Sequence, residues 1–573
     1  MKEDVEPGGR GVIPALQADY RFMVEVLKKT GGAEISMENL LRIFTVPEAP
    51  GSTLNRLDND ISENLAGFLQ EHIVAEEADL VKIEQDFNDT RIPEVPVFVS
   101  EHTQFLLDKV VAQSVHTSSP SFVGHMTSAL PYFMIPLSKI MIALNQNLVK
   151  TETSKAFTPL ERQVLGMLHR LTYEQSDEFY DTWLHHGRKR LGAICSGGTI
   201  ANITALWTAR NRAFGPDRDF PGIHHSGMFG AMRHYGYEGA AILVSERGHY
   251  SLSKAADVLG IGRDNLISIE TDSYNRICLT ALERKLQELK QQRIRPFALV
   301  GIAGTTETGN IDPLDKMADI AEAYGLHFHV DAAWGGPTLF SKRYRTLLKG
   351  IERADSVTID AHKQLYVPMG VGLVLFRDPS VLESIEHHAQ YIIRQGSKDL
   401  GSTTLEGSRP GMAMLVHAGL KIISRGGYAM LIENGIELAR RFADHIVTLE
   451  DFELVSDPEL NIFTYRWAPA DVQARLLEAD EDTRREINEI LSRITQVIQK
   501  EQRERGKAFV SRTRLKPECY DQQAITVFRV VLANPLTTDK VLREVIEEQR
   551  EIAAGMRDSS DMRALAALVR TSV

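Results

Sequence analysis

Residues 356–370 read Ser-Val-Thr-Ile-Asp-Ala-His-Lys-Gln-Leu-Tyr-Val-Pro-Met-Gly, and a second apolar run, 371–376, follows at once. The β-branched start of this segment predicts a buried strand that ends near His362 and Lys363. The simpler interpretation of Lys363 is a solvated lysine. However, a position between two buried strands is unfavourable for a lysine that has no partner or function. The segment therefore predicts a β-sheet with a reactive amine at the end of one strand.

A second predicted strand ends in an acid, within residues 325–337, Gly-Leu-His-Phe-His-Val-Asp-Ala-Ala-Trp-Gly-Gly-Pro. Asp331 could simply cap its turn. Alternatively, it pairs with the protonated ring nitrogen of pyridoxal phosphate (PLP), whose aldehyde an amine such as Lys363 holds as a Schiff base. Ala332 and Ala333 leave room for a flat ring beside the acid. The two strand ends together predict PLP as the cofactor.

A glycine-rich segment, Ser196-Gly197-Gly198-Thr199, joins a third predicted strand to a helix. Glycines let the backbone approach a phosphate, and a helix N-terminus offers free N–H groups and partial positive charge. The same four residues are also a common turn and helix cap. We interpret them as a phosphate cradle, because parallel sheets bind ligands beyond the carboxyl ends of their strands.

Two more candidates follow predicted strands. His249 is expected to stack on the cofactor ring and to handle protons, although most of the 18 histidines must be structural or exposed. Thr305 and Thr306 end a further strand, where they either contact the cofactor or cap a turn.

The pattern along the chain predicts three parts. Residues 1–150 read as a helical N-terminal extension and substrate segment, with amphipathic stretches at 16–29 and 61–87. Residues 151–415 predict a large α/β domain with a mostly parallel seven-stranded sheet, and 416–573 a small α+β domain. The seven strands are expected at 191–195, 240–245, 266–270, 297–303, 327–331, 356–360 and 371–377. Those of the small domain are expected near 452–455, 462–466 and 525–532, and the charged stretch 474–504 predicts a solvent-exposed helix.

The composition is that of a globular protein: 573 residues, 43% hydrophobic and 25% charged, with a net charge of −12. Because no long basic block is present, we expect neither a nucleic acid nor a membrane as partner. The three cysteines are widely spaced, so we expect core residues rather than a disulfide framework or a metal site. The N-terminus lacks the pattern of a signal peptide, and a cytoplasmic protein is expected.

The order and spacing of these motifs resemble the group II PLP-dependent amino-acid decarboxylases, which include glutamate, cysteine sulfinate and aromatic amino-acid decarboxylases. The matching stretches are 195–202, 249–251, 303–309, 329–335 and 360–363. The resemblance implies the aspartate-aminotransferase-like fold, PLP fold type I, and a homodimer with shared active sites. It also implies that Lys363 forms the Schiff base, that Asp331 pairs with the pyridine nitrogen and that His249 stacks on the ring. The residues that it implies around the phosphate are Ser196, Gly197, Gly198, Thr199 and His362.

Two segments resemble the branch of this family that uses acidic substrates. Residues 119–128, with Phe122 and His125, resemble its N-terminal substrate segment, and 527–535 resemble the stretch whose arginine, Arg529 here, binds the substrate carboxylate. His125 stands where glutamate decarboxylases have an amide. The loop at 395–406 lacks the tyrosine that the family uses for protonation, which leaves Tyr391 and His249 as candidate proton donors.

Residues 402–411 and the chain length are most similar to bacterial proteins proposed as PLP-type aspartate 1-decarboxylases, which make β-alanine for pantothenate biosynthesis. The resemblance implies α-decarboxylation of L-aspartate. Glutamate, giving 4-aminobutyrate, and cysteine sulfinate or aromatic amino acids are the alternative substrates. The alternative from another class is a non-catalytic protein that keeps the PLP fold, and the presence of Lys363, Asp331 and His249 argues against it.

Overall fold

The computed structural model describes residues 53–71, 80–127, 129–389 and 398–570, which fall into two compact units that divide after His116. The predicted amphipathic stretch 16–29 and the candidate Tyr391 lie outside the described residues. The first unit contains the helices Thr53–Glu71, Leu80–Gln85 and Val99–Leu106 and a π-helical turn, Leu107–Val111. Four stretches of the predicted helical extension are therefore helical, whereas its division from the rest of the chain stays a prediction.

The second unit is built around a seven-stranded sheet with the order β1-β7-β6-β5-β4-β2-β3. The strands β2 to β6 form the parallel part, and β7 runs antiparallel to its neighbours β1 and β6. The strands are β1 (Gly192–Cys195), β2 (Gly239–Ser245), β3 (Leu266–Ile269), β4 (Ile294–Ile302), β5 (His327–Asp331), β6 (Ser356–Asp360) and β7 (Gly372–Phe376). The predicted α/β fold with a mostly parallel sheet is confirmed.

Helices cover both faces of this sheet. Every residue of β1, β6 and β7 is buried, as expected for strands that helices cover on two sides. The helices that precede the small sheet in this unit are Met134–Leu144, Thr151–Ser154, Phe157–Tyr173, Asp177–Trp183, Gly198–Ala213, Ile223–Tyr235, Tyr250–Val258, Leu279–Gln291, Leu314–Tyr324, Ala413–Ile422 and Ser424–Val447.

The C-terminal part contains a four-stranded antiparallel sheet with the order β10-β11-β9-β8. Its strands are β8 (Phe452–Ser456), β9 (Ile462–Trp467), β10 (Ser511–Leu515) and β11 (Ile525–Val531). Its helices are Ala470–Glu478, Glu481–Arg505, Asp539–Gly555 and Ser560–Arg570. The predicted α+β character is present, whereas the division of the chain at residues 150 and 415 stays a prediction.

The prediction of a solvent-exposed helix at 474–504 is wrong. The segment forms two helices, and the longer one, Glu481–Arg505, buries Ile487, Leu491, Ile494 and Ile498 on one face. The high charge of this segment hid an apolar stripe with a spacing of three or four residues.

The cysteines also differ from the expectation of three core residues. Cys195 is buried, but Cys278 is half-buried and Cys519 is exposed, because Cys519 lies in a short turn, Glu518–Tyr520. Among the helices that the structure describes, none combines the length and the apolar character that crossing a membrane requires.

Candidate active site

The carboxyl ends of five strands meet at one edge of the large sheet, because β1, β2, β4, β5 and β6 point in the same direction. Each of these ends carries one of the predicted site segments. In strand order along the chain they are Ser196–Thr199, His249, Thr305, Asp331 with Ala333, and His362 with Lys363. The topology thus brings residues that are far apart in sequence to a common edge.

Lys363 lies in the turn after β6, with its Nζ 3.1 Å from Asp360 Oδ2. The lysine side chain is 17% exposed and that of Asp360 only 4%, so the amine faces the interior of the site. The other carboxylate oxygen, Asp360 Oδ1, has no hydrogen-bond partner among the described residues. Asp360 was not among the predicted site residues, although an acid at the end of a buried strand, three residues before a lysine, was an available signal.

Asp331 ends β5, and both its oxygens accept hydrogen bonds. Asn202 Nδ2 donates to Oδ2 at 2.8 Å, and the backbone N–H of Ala333 donates to Oδ1 at 3.1 Å. The second bond is the turn cap that was the simpler interpretation of this acid. An ionised carboxylate has about four acceptor positions, so the cap leaves Asp331 able to accept a further donor.

His249 lies within electrostatic range of both Asp331 and Lys363. Its Nδ1 accepts a hydrogen bond from the backbone N–H of Ser251 at 3.2 Å and caps the helix Tyr250–Val258. Burial lowers the pKa of His249, the nearby Asp331 carboxylate opposes that change and the charge of Lys363 adds to it. A neutral ring that accepts at Nδ1 carries its proton on Nε2.

The glycine-rich segment after β1 packs tightly against the end of β6. A Cβ atom at Gly198 would lie 2.7 Å from Asp360 Oδ2, so this close approach requires glycine. A Cβ atom at Gly197 would lie 3.6 Å from the His362 ring, which donates from Nδ1 to the Val371 carbonyl at 2.9 Å. The backbone N–H of Ser196 donates to Glu406 Oε2 at 3.2 Å.

Thr199 lies in the first turn of the helix Gly198–Ala213. The Thr305 hydroxyl is used inside its own turn, where it accepts from the Asn310 N–H at 3.1 Å and pairs with the Thr308 hydroxyl at 2.8 Å. Of the two interpretations of Thr305, the structure contains the turn cap.

Arg529, on β11 of the small sheet, reaches toward the same region. It is buried, its Nε donates to the Thr306 carbonyl at 2.6 Å, and its Nη1 donates to the Gly124 carbonyl at 3.1 Å. Its Nη2 has no partner among the described residues. Burial lowers the pKa of Arg529 to about 10, and Glu307 partly offsets that effect.

His125 lies within electrostatic range of both Arg529 and Lys363. Burial lowers the pKa of His125, and the positive charges of Arg529 and Lys363 lower it further, which places the ring near both cations. Phe122 is buried and stacks on Phe509 with the ring centroids 4.8 Å apart. The segment that contains Phe122 and His125 is thus fixed beside the arginine.

These residues fit PLP. The site offers an amine, an acid with acceptor capacity left, an imidazole ring near both and a glycine cradle that a Cβ atom would fill. Within the described ranges, His, Cys, Asp and Glu side chains form no group of three or more that could hold a metal ion.

A conserved domain described as the pyridoxal-dependent decarboxylase conserved domain matches residues 98–468. The chain is 63% identical over 522 residues to a protein named aspartate 1-decarboxylase from Aliivibrio fischeri (strain ATCC 700601 / ES114). This similarity covers 91% of this chain and 95% of that protein. It is 31% identical over 368 residues to the acidic amino acid decarboxylase GADL1 of Bos taurus, over 63% of this chain and 66% of that protein.

Among solved structures, mouse CSAD in its apo form matches with a TM-score of 0.74 at 25% identity, over 87% of this chain and 99% of that one. The matched domain spans more than half of the chain, and the bacterial relative is similar along nearly its whole length. The chain therefore belongs to the pyridoxal-dependent decarboxylases, enzymes whose cofactor is pyridoxal phosphate.

Proposed function

We propose that the protein decarboxylates L-aspartate at its α-carbon and releases β-alanine and CO2. The similarity to a protein named aspartate 1-decarboxylase supports this substrate. The structural observation that carries the proposal is Arg529, a buried guanidinium whose Nη2 lacks a partner among the described residues. A buried cation with an unused donor is unfavourable unless a ligand completes its hydrogen bonds.

The carboxylate of an acidic substrate is the ligand that suits this guanidinium. Charge-assisted hydrogen bonds between arginine and a carboxylate are short and directional, so Arg529 would hold the side-chain carboxylate of the substrate. Its bonds to the carbonyls of Thr306 and Gly124 orient the guanidinium plane before a substrate arrives. A neutral or aromatic side chain would leave the buried donor without a partner.

His125 and Phe122 would shape the substrate pocket. Because burial and two neighbouring cations lower the pKa of His125, its ring is neutral at pH 7 and does not repel Arg529. We propose that this ring limits the room between Arg529 and Lys363. Aspartate and glutamate differ by one methylene, worth only about 1–3 kcal/mol in a fitted pocket, so L-glutamate is the second candidate.

When bound, PLP supplies an electron-accepting ring that takes up the electron pair left by the departing CO2. In this proposal, Lys363 would hold the cofactor covalently through its amine. The negative charge of Asp331 would favour a protonated ring nitrogen, and the His249 ring would stack on the cofactor. Residues 196–199 and His362 bind the phosphate. His249, with its free Nε2–H, is a candidate donor of the proton to the α-carbon.

We further propose that the protein works as a homodimer in the cytoplasm. The helix Met134–Leu144 leaves Ile135, Ile140, Ile142 and Leu144 exposed, and a second copy would cover part of this apolar surface. The widely spaced cysteines agree with a reducing compartment. β-Alanine made here would serve pantothenate biosynthesis.

The test is CO2 release by the PLP-loaded protein from L-aspartate, L-glutamate, L-cysteine sulfinate and L-tyrosine. We expect the highest kcat/KM for L-aspartate. Preference for L-glutamate or cysteine sulfinate would change the substrate but keep Arg529 as anchor, whereas preference for L-tyrosine would refute the anchor. PLP binding without turnover of any amino acid would favour the non-catalytic alternative.

A further inference from the structure

A chain of buried hydrogen bonds leads away from Asp331 into the core. Asn202, on the helix Gly198–Ala213, donates to Asp331 Oδ2 at 2.8 Å, and its Oδ1 lies 3.0 Å from His329 Nε2. His329 Nδ1 lies 2.8 Å from Ser356 Oγ, which in turn lies 2.7 Å from His327 Nε2. Asn202, His329 and Ser356 are all at most 1% exposed. These four residues, 202, 327, 329 and 356, are called the relay below.

The strand geometry explains why these residues meet. His327, His329 and Asp331 alternate along β5 and therefore share one face of the sheet. Ser356 is the first residue of β6 and is paired with His329 in the sheet register. The helix that carries Asn202 begins at the glycine cradle, so one helix positions both the cradle and the relay.

An ionised Asp331 dictates where every proton of the relay lies. A carboxylate only accepts, so the atom of Asn202 that faces it is the NH2 group, and Asn202 Oδ1 must accept from His329 Nε2–H. A neutral His329 then accepts at Nδ1 from the Ser356 hydroxyl, and Ser356 Oγ accepts from His327 Nε2–H. Burial lowers the pKa of both His327 and His329 to about 4, which agrees with neutral rings. In each of these four hydrogen bonds, the donor is then the partner that lies farther from Asp331 along the relay.

The opposite arrangement requires a protonated Asp331. If the acid donated to Asn202, the amide would have to turn over, His329 would carry its proton on Nδ1, and Ser356 would donate to His327. No intermediate arrangement satisfies all the groups, because reversing one bond leaves two donors or two acceptors facing each other. Hydrogen bonds in such a chain polarise one another, so the relay favours one charge state of Asp331 over the other.

We infer that Asn202, His329 and Ser356 are positioning residues that hold Asp331 as an ionised carboxylate, oriented toward the ring nitrogen of PLP. The inference rests on the proposed function, in which Asp331 keeps that nitrogen protonated. It goes beyond that function because three further residues then control how strongly the cofactor accepts electrons. None of the three is proposed to touch the substrate. Ser356 acts on the ring nitrogen through His329, Asn202 and Asp331.

The test uses the full chain loaded with PLP that carries ¹⁵N in its ring nitrogen, whose NMR resonance reports whether that nitrogen is protonated. Ser356→Ala removes the hydroxyl that donates to His329. Asn202→Asp replaces the amide donor by a second acid, which favours a shared proton beside Asp331. In both variants we expect the resonance to move toward that of a neutral pyridine. We expect the affinity for PLP to fall at least about tenfold, a loss similar to that seen when the outer partners of a metal ligand are removed. We also expect kcat to fall with little change in KM.

Thr358→Val is the matched control. Thr358 lies two residues after Ser356 on β6, is equally buried, and its hydroxyl has no hydrogen-bond partner among the described residues. This variant should keep the resonance and the PLP affinity of the unmodified protein. If Ser356→Ala behaves like Thr358→Val in both measurements, the inference is overturned, whether or not Asn202→Asp folds. A failure of the proposed function would appear earlier, as an unprotonated ring nitrogen in the unmodified protein, and would overturn the inference with it.

Discussion

Lys363 Nζ lies 3.1 Å from Asp360 Oδ2, so the amine at the active-site edge is paired with the last residue of the strand that precedes it. The pair spans a single turn and fixes the amine near the end of β6. Asp331 ends the adjacent parallel strand β5. The distance between the amine and the Asp331 acid is therefore set by neighbouring strands rather than by a loop.

The first prediction concerns covalent attachment of the cofactor. Borohydride reduction of the PLP-loaded protein should fix the cofactor on the peptide that contains Lys363, because only a Schiff base is reduced to a stable link in this way. Lys363→Ala should carry no fixed cofactor, as measured by peptide mass spectrometry. Lys254→Ala, which removes an exposed lysine of the helix Tyr250–Val258, is the control and should be labelled normally. Label on any other lysine would reassign the amine.

The second prediction separates the two interpretations of Asp331. Asp331→Asn should fold, because an amide oxygen still accepts from the Ala333 N–H and the Asn202 amide can turn over to accept from the new NH2 group. The kcat should fall by several orders of magnitude, since a neutral amide cannot hold the ring nitrogen's positive charge. Asp378→Asn is a matched control, because Asp378 makes the same type of turn bond, to the Ser380 N–H at 2.9 Å. Equal kcat values for the two variants would leave Asp331 only a capping role.

The strand ends were predictable because each follows a short apolar run and carries a polar residue. From sequence alone, this pattern places Asp331, Lys363 and the glycine cradle at one edge of a parallel sheet. The partners of those residues were not predictable. Asn202 lies 129 positions from Asp331, and the Arg529 guanidinium is oriented by a carbonyl 223 positions away. Such contacts depend on how the helix and the small sheet pack, which no local pattern encodes.

Strand β10 was missed for a related reason. Its sequence, Ser-Arg-Thr-Arg-Leu, alternates polar and charged residues with little apolar character, because β10 is an edge strand of the small sheet. Edge strands commonly carry charged side chains that prevent pairing with other chains. The register with β11, in which Ser511 pairs with Arg529, and the hydrogen bond from Arg529 Nη1 to Ser511 Oγ at 3.3 Å show that this strand supports the proposed substrate anchor.

The third prediction concerns the pH dependence of stability. Burial lowers the pKa of His169 to about 4, below the ordinary value of 6.5. As pH falls from about 6.5 to about 4, the unfolded state therefore binds a proton that the folded state does not, and the free energy of unfolding should fall by about 1.4 kcal/mol per pH unit for this group. His169→Gln, which can still bond to Tyr180 and to the Phe376 carbonyl, should have a shallower slope over this range in urea unfolding. An unchanged slope would contradict the burial argument.

The fourth prediction concerns a buried ion pair. Arg409 donates to both oxygens of Glu161 at 2.6 and 2.5 Å, and both residues are buried. Arg409→Met should lower the free energy of unfolding by about 3–5 kcal/mol, because it leaves a buried carboxylate unpaired. The double variant Glu161→Leu with Arg409→Met should recover much of that loss in urea unfolding. Arg263→Met, which breaks the exposed pair with Asp257, is the control and should change stability little. A large loss that the double variant does not recover would point to packing rather than charge.

The last prediction tests the substrate anchor. Arg529→Met keeps much of the side-chain volume but removes the charge and the donors, so kcat/KM for L-aspartate should fall by at least a hundredfold, equivalent to about 3 kcal/mol. The visible spectrum of bound PLP should be unchanged, because Arg529 is not proposed to touch the cofactor. Arg512→Met, on the neighbouring strand β10, removes an exposed arginine and should retain normal kcat/KM. A loss of bound PLP in Arg529→Met would indicate a structural role instead. Unchanged turnover of L-aspartate in that variant would refute the assignment of Arg529, because no other feature of the proposal explains selection of an acidic side chain.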